Sequence, residues 1–436
     1  IFLLSCSSDP ASNSSLTVFT NVNVIPMDTR QVLVDQTVIV DGDRIVDVIP
    51  SSEITVPSGA MVIDGTDKYL IPGLAEMHGH VPPTNPGPNA PEYFNKQYVE
   101  HTLFLYVSAG ITTVRGMLGY EDQLSLKDSV NSGAYIGPNL YLAGPSFNGN
   151  SISSAEEARE RAITQHEEGW DLLKIHPGLT LEEYDAMVEA ANEVGITFGG
   201  HVPEDVGVIH AIESGQVTID HVDGYVRYLS QFEGEERDEK LAEIIQLTKE
   251  YNVWVVPTMA LWETIIGAAD YENMKTYDEL KYIPQAVKQN YFNFAENPQT
   301  GYAIGDPTEQ AQFRTRILEE MNKARVKILM GTDAPQLFSV PGFSIHRELP
   351  HMQAAGMSNY EILQSGSKYV GNYFSDNDEF GTIRAGQRAD LILLNHNPLE
   401  NLSAIQDHLG VMVQGRWYSR EMIDIKLSEI EAYYSE

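Results

Sequence analysis

The chain has 436 residues, 42% of them hydrophobic, which suffices for one large α/β barrel with a satellite or for two to three ordinary domains. It carries 62 acidic against 28 basic side chains, a net charge of −34. That balance argues against nucleic acid and anionic membrane surfaces as partners and describes a solvated, self-repelling surface.

The only cysteine, Cys6, rules out an intrachain disulfide. It follows Ile1-Phe2-Leu3-Leu4-Ser5, an apolar run and a small residue, as in the tail of a bacterial lipoprotein signal. Residues 7–15 are polar, with Pro and Asn, and read as a tether. The expectation is an exported protein, periplasmic or held to the cell envelope by lipid on Cys6. No other stretch is long and apolar enough to span a membrane.

From 16 to 64 short strands alternate with turns, and Asp41-Gly42 marks a hairpin. Residues 389–394 and 411–414 repeat the style, with a turn at Gly415-Arg416. Neither segment makes a domain alone, so 16–70 and 380–436 are expected to pair into one small β-sandwich. Between them, 71–379 alternates strands and helices. Strands are expected at 74–77, 112–115, 140–143, 172–175, 197–200, 217–220, 253–256 and 327–330. Thr180 with Glu183, and Ser358 with Glu361, open two of the helices as capping boxes. Eight such units predict a closed (β/α)8 TIM barrel, whose chemistry sits at the C-terminal strand ends. The segment 258–325 is rich in aromatics and acids, fitting extra helices, some of whose side chains form a lid.

The strand ends carry the chemistry. The first runs into His78-Gly79-His80. In a strand, residues i and i+2 share a face, so both imidazoles aim at one point. A lone His-x-His is more often two surface histidines. Here the fourth strand adds Lys174, the fifth His201, the sixth His221 and the eighth Asp333. Four imidazoles, a carboxylate and an amine on the working face of a barrel point to a metal site.

These motifs resemble the amidohydrolase superfamily. Within it the chain is similar to the imidazolonepropionase-related amidohydrolases, which include dipeptidases cleaving before proline. The resemblance rests on 70–80, 109–116, 137–144, 169–175, 200–224, 328–335, 342–349 and the tail Gly381-Thr382-Ile383-Arg384-Ala385-Gly386-Gln387-Arg388-Ala389-Asp390-Leu391. It implies a first metal on His78, His80 and Asp333 and a second on His201 and His221. Lys174 would be carboxylated by carbon dioxide and bridge the two. Nitrogen and oxygen donors suit zinc, with manganese, cobalt or iron as alternatives. The implied reaction is attack of metal-activated water on an amide, with Asp333 moving the proton to the leaving amine.

Other roles are looser. Arg115 is either a substrate contact or half of a structural pair; family members often have an acid after it, where this chain has Gly116. Tyr225 is placed to donate to the substrate carbonyl. Arg227 and Tyr228 hold a substrate carboxylate or lie on a solvated loop. His346, past the eighth strand, is expected to touch substrate or a ligand's partner, and His176 lies two residues beyond Lys174. The expected partner is a small amide, a dipeptide or an N-acyl amino acid. A homo-oligomer is compatible with the sequence, which does not fix the oligomeric state. Two rivals stand: a mononuclear deaminase or cyclic-amide hydrolase of the same superfamily, and a catalytically silent, lipid-anchored binding protein on this scaffold.

Overall fold

The computed structural model describes residues 16–83, 91, 93–298 and 300–435. The Cys6 signal and its tether lie outside them. Five strands open the chain: β1 (Leu16–Val24), β2 (Leu33–Asp41), β3 (Arg44–Pro50), β4 (Met61–Asp64) and β5 (Tyr69–Pro72). Eight follow in alternation with helices: β6 (Leu74–Gly79), β7 (Ile111–Gly116), β8 (Asn139–Leu142), β9 (Leu173–Ile175), β10 (Phe198–Gly200), β11 (Thr218–Asp220), β12 (Trp254–Val256) and β13 (Lys327–Ile328). Three close the β order: β14 (Leu391–Leu394), β15 (His408–Val413) and β16 (Arg416–Ser419).

The eight alternating strands stand where the periodicity predicts them. All their ladders are parallel. A bridge from Ala143 to Leu172 joins β8 to β9. The ring shuts where Met77 N donates to Met330 O at 2.9 Å and Asp333 N donates to His78 O at 2.7 Å. The result is a closed barrel. Helix boundaries follow their caps. Thr180 and Glu183 form a capping box on Leu181–Val194, which ends at Gly195 with φ 79°. Ser358 and Glu361 do the same for Asn359–Ser365.

Strands from both ends of the chain form one sheet, ordered β16-β15-β14-β5-β1-β2-β3, with β4 beside β1. Its turns follow local rules. Gln414 and Gly415, φ 49° and 72°, give the two positive dihedrals that a tight β15–β16 hairpin needs. β1 and β16 are four strands apart, about 19 Å in a flat sheet. Yet the rings of Phe19 and Trp417 lie 5.3 Å apart, edge to face. The sheet therefore curls over, and Phe19, Val38, Leu70, Leu391 and Met412 fill the space between its layers. Below the barrel, Arg388 pairs with Asp390 and Asp378 and donates to Thr113 Oγ1, while Asp390 accepts from Asn139. The tail motif thus fastens the sheet to the barrel floor.

The C-terminal segment is not all strand. Residues Arg420–Ser435 form a helix whose Ile423, Leu427, Ile430 and Tyr434 are buried. It packs on the barrel helix Lys96–Ser108 and on the one-turn helix Asp278–Tyr282. The aromatic segment after β12 forms helices at Met259–Ile266, Gln285–Glu296 and Pro307–Lys323, with shorter turns between.

Candidate metal centre at the barrel mouth

β6 delivers His78 and, just past its end, His80. The alternation also puts Glu76 in phase with them. Glu76 is buried, accepting from Thr332 N at 2.7 Å, from Thr332 Oγ1 at 2.5 Å and from His78 N at 3.1 Å. It ties the first strand to the loop carrying Asp333. Burial raises its pKa to about 8.

Ligand-type atoms of His78, His80 and Asp333 all lie within 4.8 Å of one another. Asp333 Oδ1 is 2.5 Å from His80 Nε2 and 3.8 Å from His78 Nε2; its Oδ2 is 3.8 Å from His221 Nε2. Lys174 Nζ sits 3.1 Å from His78 Nε2. The rings of His78 and His221, and of His221 and His201, are each 4.3 Å apart. All six side chains thus meet around one point at the C-terminal strand ends.

Three of these histidines have Nδ1 engaged. His78 Nδ1 is 2.7 Å from Asp220 Oδ2, His201 Nδ1 is 3.2 Å from Asp223 Oδ2, and His221 Nδ1 is 2.7 Å from Thr258 Oγ1. A carboxylate only accepts, so Nδ1 carries the proton at His78 and His201, and Nε2 keeps the lone pair. Burial, then neighbouring charges, holds the pKa of His78 and of His221 far below the usual histidine value, in the neutral, ligating form. His221 Nε2 and His80 Nδ1 are buried without a partner among the described residues. A buried, partnerless nitrogen beside a carboxylate and other imidazoles is a donor set that fits a divalent cation. Lys174 is fully buried, and burial lowers its pKa to about 8.

The backbone bends sharply to present these groups. His221, Val222, Thr258 and Asp333 have φ of 71°, 62°, 45° and 63°, left-handed values that non-glycine residues avoid. Gly200, φ 125°, precedes His201; a Cβ there would lie 2.5 Å from Ile175 O.

The sequence model of the amidohydrolase family matches residues 69–418. The chain belongs to the amidohydrolase family. This amidohydrolase is 23% identical over 466 aligned positions to a 5-methylthioadenosine/S-adenosylhomocysteine deaminase of Caldanaerobacter subterraneus subsp. tengcongensis, covering 95% of each chain. Its fold is similar to that of bottromycin amidohydrolase, with a TM-score of 0.74, 20% identity, and 97% of this chain and 92% of that one covered. It is also similar to a Xaa-Pro dipeptidase with methionine bound in its active site, at a TM-score of 0.69, 21% identity, and 93% and 100% coverage.

Four expected substrate contacts of this amidohydrolase lie elsewhere. Tyr225 is fully buried, its hydroxyl 3.0 Å from Thr248 Oγ1, and it is not among the residues lining the cavity. Arg115 is buried under the site, pairs with Asp220 at 2.9 Å and donates to Met77 O; the acid absent from position 116 is supplied by β11. Arg227 is part-exposed, 4.0 Å from Glu204 and outside the cavity wall. His346 lines a different cavity, beside Phe343 and His408. His176, in contrast, lines the cavity over the metal ligands, 5.2 Å ring to ring from His201. Sequence reading missed Asp220, Asp223, Glu76 and Thr258. Only Glu76 had a visible signal, its i, i+2, i+4 phase with the two histidines.

Proposed function

We propose that this amidohydrolase hydrolyses a carbon–nitrogen amide bond of a small molecule at a pair of divalent ions, bridged by a carboxylated Lys174. The observation that carries the reading is Lys174 itself. Its Nζ lies fully buried, 3.1 Å from His78 Nε2. An ammonium there would repel a metal. With a pKa lowered to about 8, a useful fraction is free amine at neutral pH. The amine nitrogen attacks carbon dioxide, loses a proton and becomes a carbamate, an anion with two oxygens. His78, His80 and Asp333 would hold one ion, His201 and His221 the other, and the nitrogen and oxygen donors suit zinc. Bound there, the ions polarise the scissile carbonyl and acidify water. Asp333 takes a proton from the attacking water and passes it to the leaving amine. Asp220, Asp223 and Thr258 hold three imidazoles in register.

Xaa-Pro dipeptides, after the name of one similar structure, and N-acyl amino acids, expected from the sequence, head the test panel. Zinc-loaded protein in bicarbonate should contain two ions per chain and turn over members of this panel. Lys174→Ala should lose at least 100-fold in turnover, with partial recovery in formate. Full turnover by that variant without added acid would remove the bridge from the reading.

A second reading is a single-ion deaminase. It is favoured by the compactness of His78, His80 and Asp333, which suffice for one ion, and by the aligned deaminase relative. One ion per chain, with ammonia released from an adenosine-type ring, would establish it. We also propose, from residues 1–8 alone, that the protein is exported and lipidated on Cys6. Labelled palmitate should enter the wild type and not Cys6→Ser; equal labelling of both would refute this.

A further inference from the structure

Above the metal ligands lies a cavity of about 600 Å³. Two aromatic groups line it. Tyr93, Phe94 and Tyr98 form one, in mutual ring contact at 4.9 to 5.9 Å, with Tyr291 in the same apolar cluster. Trp262 and Tyr302, 5.6 Å apart and edge to face, form the other. Leu118, Ile265 and Val287 complete an apolar surround.

No lysine or arginine lines this cavity among the described residues. Lys174 lies below the floor, its Nζ 3.1 Å from His78 Nε2. Arg314 lies behind Trp262, its guanidinium 4.6 Å from the ring centroid, and Nη2 donates to His221 O. Its Nε and Nη1 are buried without a hydrogen-bond partner among the described residues. Polar side chains on the wall, such as Asn290 and Gln336, are neutral. The only acid among the lining residues is Asp333, and the chain carries −34 overall, a field that repels anions on approach. A carboxylate held between the apolar walls, away from the metal ligands, has no cationic side chain beside it to offset its desolvation.

We infer that the cavity selects an amide whose groups away from the scissile bond are flat or apolar, and that it discriminates against a free carboxylate. The inference rests on the reading of this cavity as the place where the amide binds. It narrows the panel above to N-acyl amino acids and dipeptides whose carboxyl end is blocked, and to other aryl amides without a free carboxylate. Trp262 and Tyr302 are the specificity-determining side chains.

The test separates binding from turnover. Ketomethylene analogues of N-benzoyl-phenylalanine carry no bond to hydrolyse. Three are made, ending in a carboxylate, a hydroxymethyl or an aminomethyl group. Each is titrated into zinc-loaded protein, with tryptophan fluorescence as readout. The neutral analogue should bind at least ten-fold tighter than the carboxylate, and the amine should bind tighter than the carboxylate too. Tyr302→Ala, at a half-exposed position, should weaken binding of the neutral analogue about ten-fold with metal content unchanged, and Trp262→Phe should remove most of the fluorescence change. Binding of the carboxylate equal to or tighter than either of the others, or no binding of the neutral analogue, would overturn the inference. Tight neutral binding with no amide turned over would leave it standing and remove the hydrolytic reading instead.

Discussion

Asp220 is the residue on which two buried cationic or ligating groups converge: it accepts from Arg115 and from His78 Nδ1 with no exposure of its own. Asp220→Asn keeps the shape and removes the charge, leaving the Arg115 guanidinium buried and unmatched. We expect a loss of about 3–5 kcal/mol in urea unfolding. Metal affinity, read by chelator competition, should fall about 10–100-fold; no change in either would show that His78 is oriented by something else. Lys174 gives a pH prediction. Its pKa is lowered to about 8, and only the free amine reacts with carbon dioxide. Regain of activity by metal-free protein, given zinc and dissolved carbon dioxide held at one concentration across the pH series, should quicken as pH rises and reach half its limiting rate near pH 8. A rate still climbing toward pH 10.5 would mean an ordinary lysine. The candidate ligands His78 and His80 were legible as a pair because strand phase is local. Asp220 was not, since its bond to His78 spans 142 positions and nothing near either residue announces it.

Among the elements, the helix Arg420–Ser435 shows how a correct neighbour can hide a wrong assignment. The strands before it set a β style, and the i, i+4, i+7, i+11 stripe of Ile423, Leu427, Ile430 and Tyr434 was there to be read. Its function is to cover apolar surface on the Lys96–Ser108 helix, with Tyr434 Oη 2.9 Å from His101 Nδ1. Ile430 is fully buried. Ile430→Ala should cost about 2–5 kcal/mol of stability. Metal content and kcat/KM should stay at wild-type values, because the helix sits on the barrel's flank. A fall in kcat/KM without a fall in stability would contradict that placement. The eight barrel strands were legible for a plain reason: each is a short apolar run bounded by turn signals, and helices with caps lie between them.

The whole molecule is governed by its charge and by one shared sheet. With 34 net negative charges, repulsion between surface carboxylates opposes the compact state. Raising ionic strength from about 0.01 to 1 M shortens the screening length from about 30 to 3 Å. The melting temperature should therefore rise by several degrees, measured at fixed zinc; a fall would mean that ion pairs outweigh the repulsion. That both chain ends share a sheet was legible from their style. The insertion of β14 between β5 and β15 was not, since pairing across some 320 positions leaves no local trace.

β5 ends at Pro72 and β6 begins at Leu74. A single residue, Gly73, separates a strand of the satellite from the strand that ends in His78. Its N–H is fixed to Asp390 O at 2.8 Å, and a Cβ there would collide with Thr112. The joint has no slack. The satellite strand and the strand that ends in His78 are thus one nearly continuous run of backbone, and the crowding at Gly73 admits no larger residue between them.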